Sequence, residues 1–337
     1  MRSLPADRIR LTVDAARALG EGMLRRVGYD ADEAWVICDH VLDAALCGYE
    51  YSGLPKLLNI AEHWRAKLPR TPMTVVHETP LSALYDGGNN VGMLTMYHAT
   101  KAAIARAQGQ GIGLVGMCNS WMSGRSAYFV EMIARADLVG IHTVGAQPHV
   151  APPGGREKAV GTNPIAIGVP TRGDPLVVDL GTSAFMGTDL QFRERRGEPI
   201  PEGVAIDPDG NPTQDARLAR LGALLPMAGH KGYALALAFH ALGALAGSSR
   251  DLQKQYGYLI IAIRPDLLVP LDELKGEVSA LVARVKATPR QPGVDAIRIP
   301  SERSYQERAR QLREGIVIDR AIHDAILATG TAAGSGH

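Results

Sequence analysis

Gly229-His230-Lys231-Gly232-Tyr233 sets an imidazole beside an ammonium at a glycine-flanked turn, directly before the small-residue run ALALAFHALGALAG. A helix that begins there gathers unpartnered backbone N–H groups, the positive end of its macrodipole and two basic side chains at one point. Such a point seats a phosphate or a carboxylate. The bland alternative is a capped helix carrying an exposed lysine. A second cluster, GGREKAVGTNP at 154–164, joins Gly154 and Gly155, which permit close backbone approach, to the donors Arg156, Lys158, Thr162 and Asn163. These donors suit phosphate and amide groups; a glycine-rich crossover with solvated charges has the same composition. The third cluster, VVDLGTS at 177–183, ends a β-branched run in Asp179, Thr182 and Ser183. Polar groups at the carboxyl end of a strand are where open α/β sheets bind ligands. Helix capping by Asp179 or Ser183 is the competing reading.

The elements that would position these groups follow from hydrophobic periodicity. Helical spacing runs through 12–27, 31–46 and 54–67, with Asp14 in one first turn and Pro55 near the start of another. Residues 73–77 and 81–85 read as strands and GGNN at 87–90 as a turn. A helix over 91–109, a strand over 112–117, a helix over 125–136 and a strand over 139–145 follow. This βαβαβ pattern predicts a parallel or mixed sheet. Beyond the 231–247 helix, GYLIIAIR at 257–264 is an apolar strand, followed by helices at 271–287, 302–314 and 319–328. The expected organisation is an N-terminal helical region over 1–70, an α/β cofactor-binding core over 71–222, a helical region over 223–329 with one strand returning to the core, and a disordered tail over 330–337. No GxGxxG follows the first strand, so a Rossmann fingerprint is absent. The fold class is α/β, a non-Rossmann core with a mixed sheet surrounded by N- and C-terminal helices.

Composition narrows the function classes. A chain of 337 residues, 46% hydrophobic with net charge +1, can bury a sizeable core and carries no nucleic-acid footprint. Cys38, Cys47 and Cys118 have neither CxxC spacing nor an accompanying histidine pattern, which supports neither a disulfide framework nor a structural zinc site and suits the reducing cytoplasm. The amphipathic N-terminus is no signal peptide, and the most apolar helix, 233–247, is too short and glycine-rich to span a bilayer. No metal site and no membrane partner are expected.

Together with RRGEPIPEG at 195–203, the three clusters resemble the malate/L-lactate dehydrogenase family, which includes ureidoglycolate, sulfolactate, diketogulonate and piperideine-carboxylate oxidoreductases. The resemblance covers nearly the whole chain. It implies a homodimer using NADH or NADPH, the cofactor held by Ser123, Gly124, Arg125, Ser126, Thr162, Asn163, Asp179, Leu180, Gly181, His230, Lys231, Arg298 and Arg303. Arg125 is the sharpest phosphate candidate, because it opens a helix directly after Trp121-Met122-Ser123-Gly124; Lys158 is another. Relatives carry Ser-His-Gly near the end of the second helix and a basic residue after it that holds the substrate carboxylate. Here the aligned stretch is Cys47-Gly48-Tyr49-Glu50-Tyr51-Ser52-Gly53, then Lys56. Relatives also carry Asn-Ser-x-His, whose histidine is assigned to proton transfer; this chain reads Asn119-Ser120-Trp121-Met122. A thioether exchanges no proton, so Met122 is neither acid nor base.

Three readings of these losses remain open. Hydride transfer persists with Tyr51, Ser52 or water as proton source, Asp189 matching a carboxylate that some relatives couple to their Ser-His pair. Alternatively, the substrate is an imino acid, since a cationic iminium accepts hydride without a strong acid whereas a ketone develops oxyanion charge. The third is a redox-silent cofactor-binding protein or a non-redox enzyme on the same scaffold, against which stands the survival of every cradle motif. Lys56, Tyr49, Met122, Trp121 and His149 are the candidate substrate contacts. Trp121 and Met122 add apolar bulk that favours a ring-like substrate over a small dicarboxylate; Trp121 filling a core gap is the alternative. His149 and His240, at a position relatives fill with glutamate, are titratable candidates, and His142 in an apolar strand reads as structural.

Overall fold

The computed structural model describes residues 5–251 and 254–330. The chain forms two compact units: residues 1–69, 122–125 and 302–337 make the first, and residues 70–121 and 126–301 the second. The tail expected at 330–337 lies outside the described residues apart from Gly330.

In the first unit, β1 (Arg8–Leu11) precedes α1 (Val13–Arg26), which Thr12 caps by accepting from the Ala15 N–H. Asp30 and Glu33 form a reciprocal capping box on α2 (Ala31–Leu46), satisfying two of the donors a helix start leaves unpaired. Pro55 sits in the first turn of α3 (Pro55–Glu62), where its missing N–H costs nothing. The periodicity expected to continue to residue 67 breaks at His63, whose ring nitrogen accepts from the Arg65 N–H and opens a separate 3-10 turn, Trp64–Lys67.

The second unit holds a seven-stranded sheet in the order β2-β3-β4-β10-β5-β6-β7. Its strands are β2 (Thr74–Glu78), β3 (Ser82–Val91), β4 (Ile112–Trp121), β5 (Val139–Gly145), β6 (Ile165–Val169), β7 (Leu176–Leu180) and β10 (Gly257–Ile263); β8 (Ala205–Ile206) and β9 (Ala223–Leu224) form a separate pair. The expected mixed sheet is present: β3 and β4 run parallel, whereas β10 pairs antiparallel with both β4 and β5. β10 is contacted by two helices, 92–110 and 230–245, and burial of its side chains explains its unbroken apolar run. The turn expected at 87–90 is instead an irregular continuation of β3, whose register against β4 shifts between Asp86 and Asn90. Gly88 and Asn89 take positive φ of 61° there, and the Asp86 side chain accepts from the Gly88 N–H.

Helices α4 (Gly92–Gln110), α5 (Ser126–Arg135), α6 (Gly187–Arg196), α7 (Ala216–Leu221), α8 (His230–Leu245) and α9 (Leu271–Lys286) complete this unit. Met96, Ala99 and Ala103 from α4 and Phe129 and Ile133 from α5 pack on Val115, Met117, Ile260 and Ala262 of the sheet to form its core. α8 lies against β5 and β10 with almost no side chain between: a Cβ on Gly243 would stand 2.6 Å from the Gly145 Cα. The first unit ends with α10 (Glu302–Glu314), β11 (Ile316–Asp319), which pairs antiparallel with β1, and α11 (Arg320–Ala328). β11 fills the gap between the helices expected at 302–314 and 319–328, where no strand was expected, and takes Asp319 from the second of them. Among the described residues, no helix is long and apolar enough to cross a membrane.

Candidate active site

The α8 N-terminus is built as a seat for an anion. Ala228 and Gly229 both take positive φ, 46° and 59°, turning the chain into the helix without a side-chain cap. No acidic residue occupies the first turn to neutralise the dipole, and His230 and Lys231 are both exposed. The space around the Gly229 Cα is open.

Loop 154–164 and β7 approach the same unit's scaffold through backbone contacts. The Thr162 carbonyl accepts from both the Thr182 N–H, 2.9 Å, and the Thr182 hydroxyl, 3.0 Å. Asn163 is fully buried, its Oδ1 accepting from the Ala146 N–H and its Nδ2 donating to the Ala236 carbonyl of α8. Its side chain therefore ties β5 to α8, a scaffold role where the sequence suggested a ligand contact. Asp179 caps α5, one oxygen accepting from the Ala127 N–H at 2.8 Å. Leu180 and Gly181 follow it at the strand end, and Ser126 is buried at the start of α5. Lys158 donates to the Arg220 carbonyl, while Arg298 lies exposed in the stretch after α9.

Two other candidates of this unit are constrained. Trp121 is fully buried, its indole N–H donating to the Asn89 carbonyl, so it fills the core at the end of β4. Asp189, in the first turn of α6, has its pKa raised by burial, an effect opposed by Arg193 at 3.4 Å. His149 is held at the Gln147 carbonyl and kept toward its neutral form by burial. His142 is completely buried against the Leu259 carbonyl with its pKa down to about 4, a core histidine as its setting suggested.

In the first unit, the substrate and cofactor candidates gather around Tyr49. The Arg125 guanidinium lies 5.3 Å and the Arg303 guanidinium 5.6 Å from the ring centroid, and the hydroxyls of Tyr49 and Ser304 are 3.1 Å apart. Tyr51 meets Tyr49 edge to face at 6.2 Å, in the 3-10 turn Glu50–Ser52. Arg125 is 8% exposed and pairs with Asp43 at 2.7 Å, while the other Asp43 oxygen takes Arg308 at 2.7 Å. In this network the Arg125 guanidinium is paired with a carboxylate of the protein. Its backbone N–H donates to His40 Nε2, and Gly124, at φ +78°, leaves no room for a Cβ against that ring. Ser123 is buried in the same loop and Met122 takes φ +58°, a left-handed conformation that a non-glycine residue holds only when its surroundings impose it.

Lys56 lies in the first turn of α3, 5% exposed, and burial lowers its pKa to about 8. A cation taken this far from water favours an anionic partner. Arg303 also lines a cavity of about 330 Å³ together with Arg8, Glu50 and Glu307. The sequence reading missed His40, Asp43, Ser304 and Arg308. His40 and Asp43, three residues apart on α2, belong to no motif, and their partners arrive from 82 to more than 260 positions away.

The profile described as malate/L-lactate dehydrogenase matches residues 11–327. An L-sulfolactate dehydrogenase of Methanothermobacter thermautotrophicus is 33% identical over 87% of this chain and 88% of its own length. A Δ1-pyrroline-2-carboxylate/Δ1-piperideine-2-carboxylate reductase of Pseudomonas aeruginosa is 31% identical over 95% of this chain and 99% of its own. Among solved structures, malate dehydrogenase from Pyrococcus horikoshii superposes with a TM-score of 0.86 at 28% identity, covering 100% of this chain and 99% of that one.

Proposed function

The chain belongs to the malate/L-lactate dehydrogenase family of oxidoreductases, and from that premise we propose that it is an NADH- or NADPH-dependent reductase of an imino acid or a 2-oxo acid. The observation that carries the cofactor part is the uncapped, acid-free start of α8 with exposed His230 and Lys231 beside it. That donor set fits the negatively charged part of a dinucleotide. Thr162, Asp179, Leu180 and Gly181 of the same unit would complete the cradle. When bound, the nicotinamide supplies the hydride.

The protein's own residues then bind, orient and protonate. Lys56 in its charged form holds the substrate carboxylate. Tyr49 is held by two guanidiniums and by the edge-to-face contact with Tyr51, in the turn that also carries Ser52. No imidazole stands at residue 122, so protonation falls to Tyr51, Ser52 or water, and Asp189 is a candidate by its match to a carboxylate of some relatives. A ring imine suits such a site, because its cationic nitrogen needs little help from an acid as hydride arrives. The full reading includes a homodimer in the cytoplasm. Titration with NADH and with NADPH tests it: fluorescence change or thermal stabilisation is expected with at least one, and a folded protein that binds neither overturns it.

A further inference from the structure

α10 presents three polar side chains, each about one helical turn from the next, to the cavity of about 330 Å³ in the first unit: Arg303, Glu307 and Gln311. Opposite charges at i and i+4 on a helix ordinarily pair. Arg303 and Glu307 do not. The Arg303 guanidinium is drawn over the Tyr49 ring, and Glu307 Oε2 is taken by Arg310 at 2.7 Å. Among the described residues, the Arg303 guanidinium has no hydrogen bond or ion pair, and neither has Glu307 Oε1. Gln311 is buried and donates through Nε2 to the Ala45 carbonyl, which leaves its amide oxygen to accept from another donor. The remaining charged pair at the cavity is closed, Arg8 holding both Glu50 oxygens at 2.7 and 2.9 Å. Leu54, Ile316 and Ile318, all fully or almost fully buried, supply an apolar wall.

We propose that this cavity binds a zwitterionic amino acid with a small apolar side chain. Its carboxylate takes Arg303, its ammonium takes Glu307 Oε1 and the Gln311 amide oxygen, and its side chain lies on the wall of Leu54, Ile316 and Ile318. A guanidinium and a carboxylate kept apart from each other are matched by a molecule that carries both opposite charges, and each ligand group then meets a partner that the fold leaves unused. Molecules with one charge fit less well. A simple carboxylate would sit beside two glutamates, and a simple amine among three arginines. The volume stands at the small end of the range for ligand sites, roughly 300–1,000 Å³, which suits a small molecule. The inference assigns Arg303 to this ligand rather than to the dinucleotide, and the binding it describes does not depend on redox activity. Glu50, Leu54 and Pro55 also line the cavity, so its occupant bears on the segment 50–56 that carries Tyr51, Ser52 and Lys56. Reduction of a cyclic imino acid yields an amino acid of this class. On the reading above, the cavity is then a feedback site for product, and this role, unlike the binding, rests on that reading.

The test is calorimetric titration of the cofactor-free full chain with L-pipecolate and with two ring-matched molecules, cyclohexanecarboxylate and piperidine, which carry only the anion and only the cation. Both the parent and Lys56→Met are titrated, because the variant removes the substrate contact proposed above. Each should bind L-pipecolate, and bind the other two at least about tenfold more weakly. Glu307→Gln, which keeps the side-chain shape, should weaken L-pipecolate by about tenfold or more and leave cyclohexanecarboxylate unaffected, whereas Arg303→Gln should weaken both. Circular dichroism establishes that each variant is folded; should one fail, the comparison of the three molecules in the parent carries the decision. Loss of L-pipecolate binding in folded Lys56→Met, equal affinity of the parent for cyclohexanecarboxylate, or an unchanged affinity for L-pipecolate in Glu307→Gln overturns the proposal. NADH and NADPH titrations of the same samples keep the two readings apart. Cofactor binding without L-pipecolate binding sinks this inference alone, and L-pipecolate binding without cofactor binding sinks the reductase reading alone.

Discussion

Lys56 is the residue on which substrate recognition turns in this account. Burial disfavours the ammonium and brings its pKa to about 8. Lysine is charged below its pKa, so carboxylate binding is present at neutral pH and lost as pH rises through about 8; a bound carboxylate draws the pKa upward again. The fall in kcat/KM should therefore occur at lower pH than the fall in kcat. Lys56→Met should raise KM strongly, leave cofactor affinity nearly unchanged and abolish that alkaline limb. An unchanged pH profile in the variant would separate Lys56 from the substrate. The sign for folding is opposite: between about 8 and the ordinary value of 10.5 the unfolded chain binds more protons, so this group makes stability rise with pH across that window. Gly124 offers a second test. An alanine there must hold a left-handed backbone, costing about 1–3 kcal/mol, and displace His40 from the Arg125 amide. Thermal unfolding of Gly124→Ala should show a loss at least that large. Lys56 could be singled out in sequence because its charge stands where the resemblance places a basic residue. The commitment of Arg125 to Asp43 could not, since its partner lies 82 residues away and a lone arginine does not declare whom it pairs with.

Among the elements, α8 carries the account furthest. Its first turn collects helix dipole, open backbone and Lys231, and replacing Lys231 with alanine should remove a charge-assisted contact of about 1.5–3 kcal/mol. Dinucleotide affinity should fall roughly tenfold or more, measured by fluorescence titration. Equal affinity would move the cofactor phosphates elsewhere. α8 was visible in sequence because glycine-flanked turns and an apolar run mark a helix start. β5 was visible within its true bounds because a short β-branched run between turn signals has few alternatives. The continuation of β3 through Gly87-Gly88-Asn89-Asn90 was not visible. Glycine and asparagine composition predicts a turn, but here the positive φ angles serve an irregular strand held against β4. β1 and β11 escaped because each is only four residues long and acquires its meaning from the other, more than 300 positions away.

At the scale of the whole molecule, the mixed sheet was legible in the alternation of strands and helices, while the insertion of β10 between β4 and β5 was not. No local signal encodes pairing across more than 100 residues of chain. The chemistry divides along similar lines: cofactor motifs are short and contiguous, whereas the proton source depends on how separate segments meet. The central claim is that a nicotinamide-dependent site lacking an imidazole at residue 122 reduces C=N in preference to C=O. Its most direct test is the loss of reduced cofactor absorbance with Δ1-piperideine-2-carboxylate against pyruvate and oxaloacetate, in the parent and in Met122→His. The account predicts a higher kcat/KM for the cyclic imine in the parent, and a histidine variant that gains on the ketones more than on the imine. Robust turnover of the simple 2-oxo acids by the parent, equal to or above that of the imine, would contradict it.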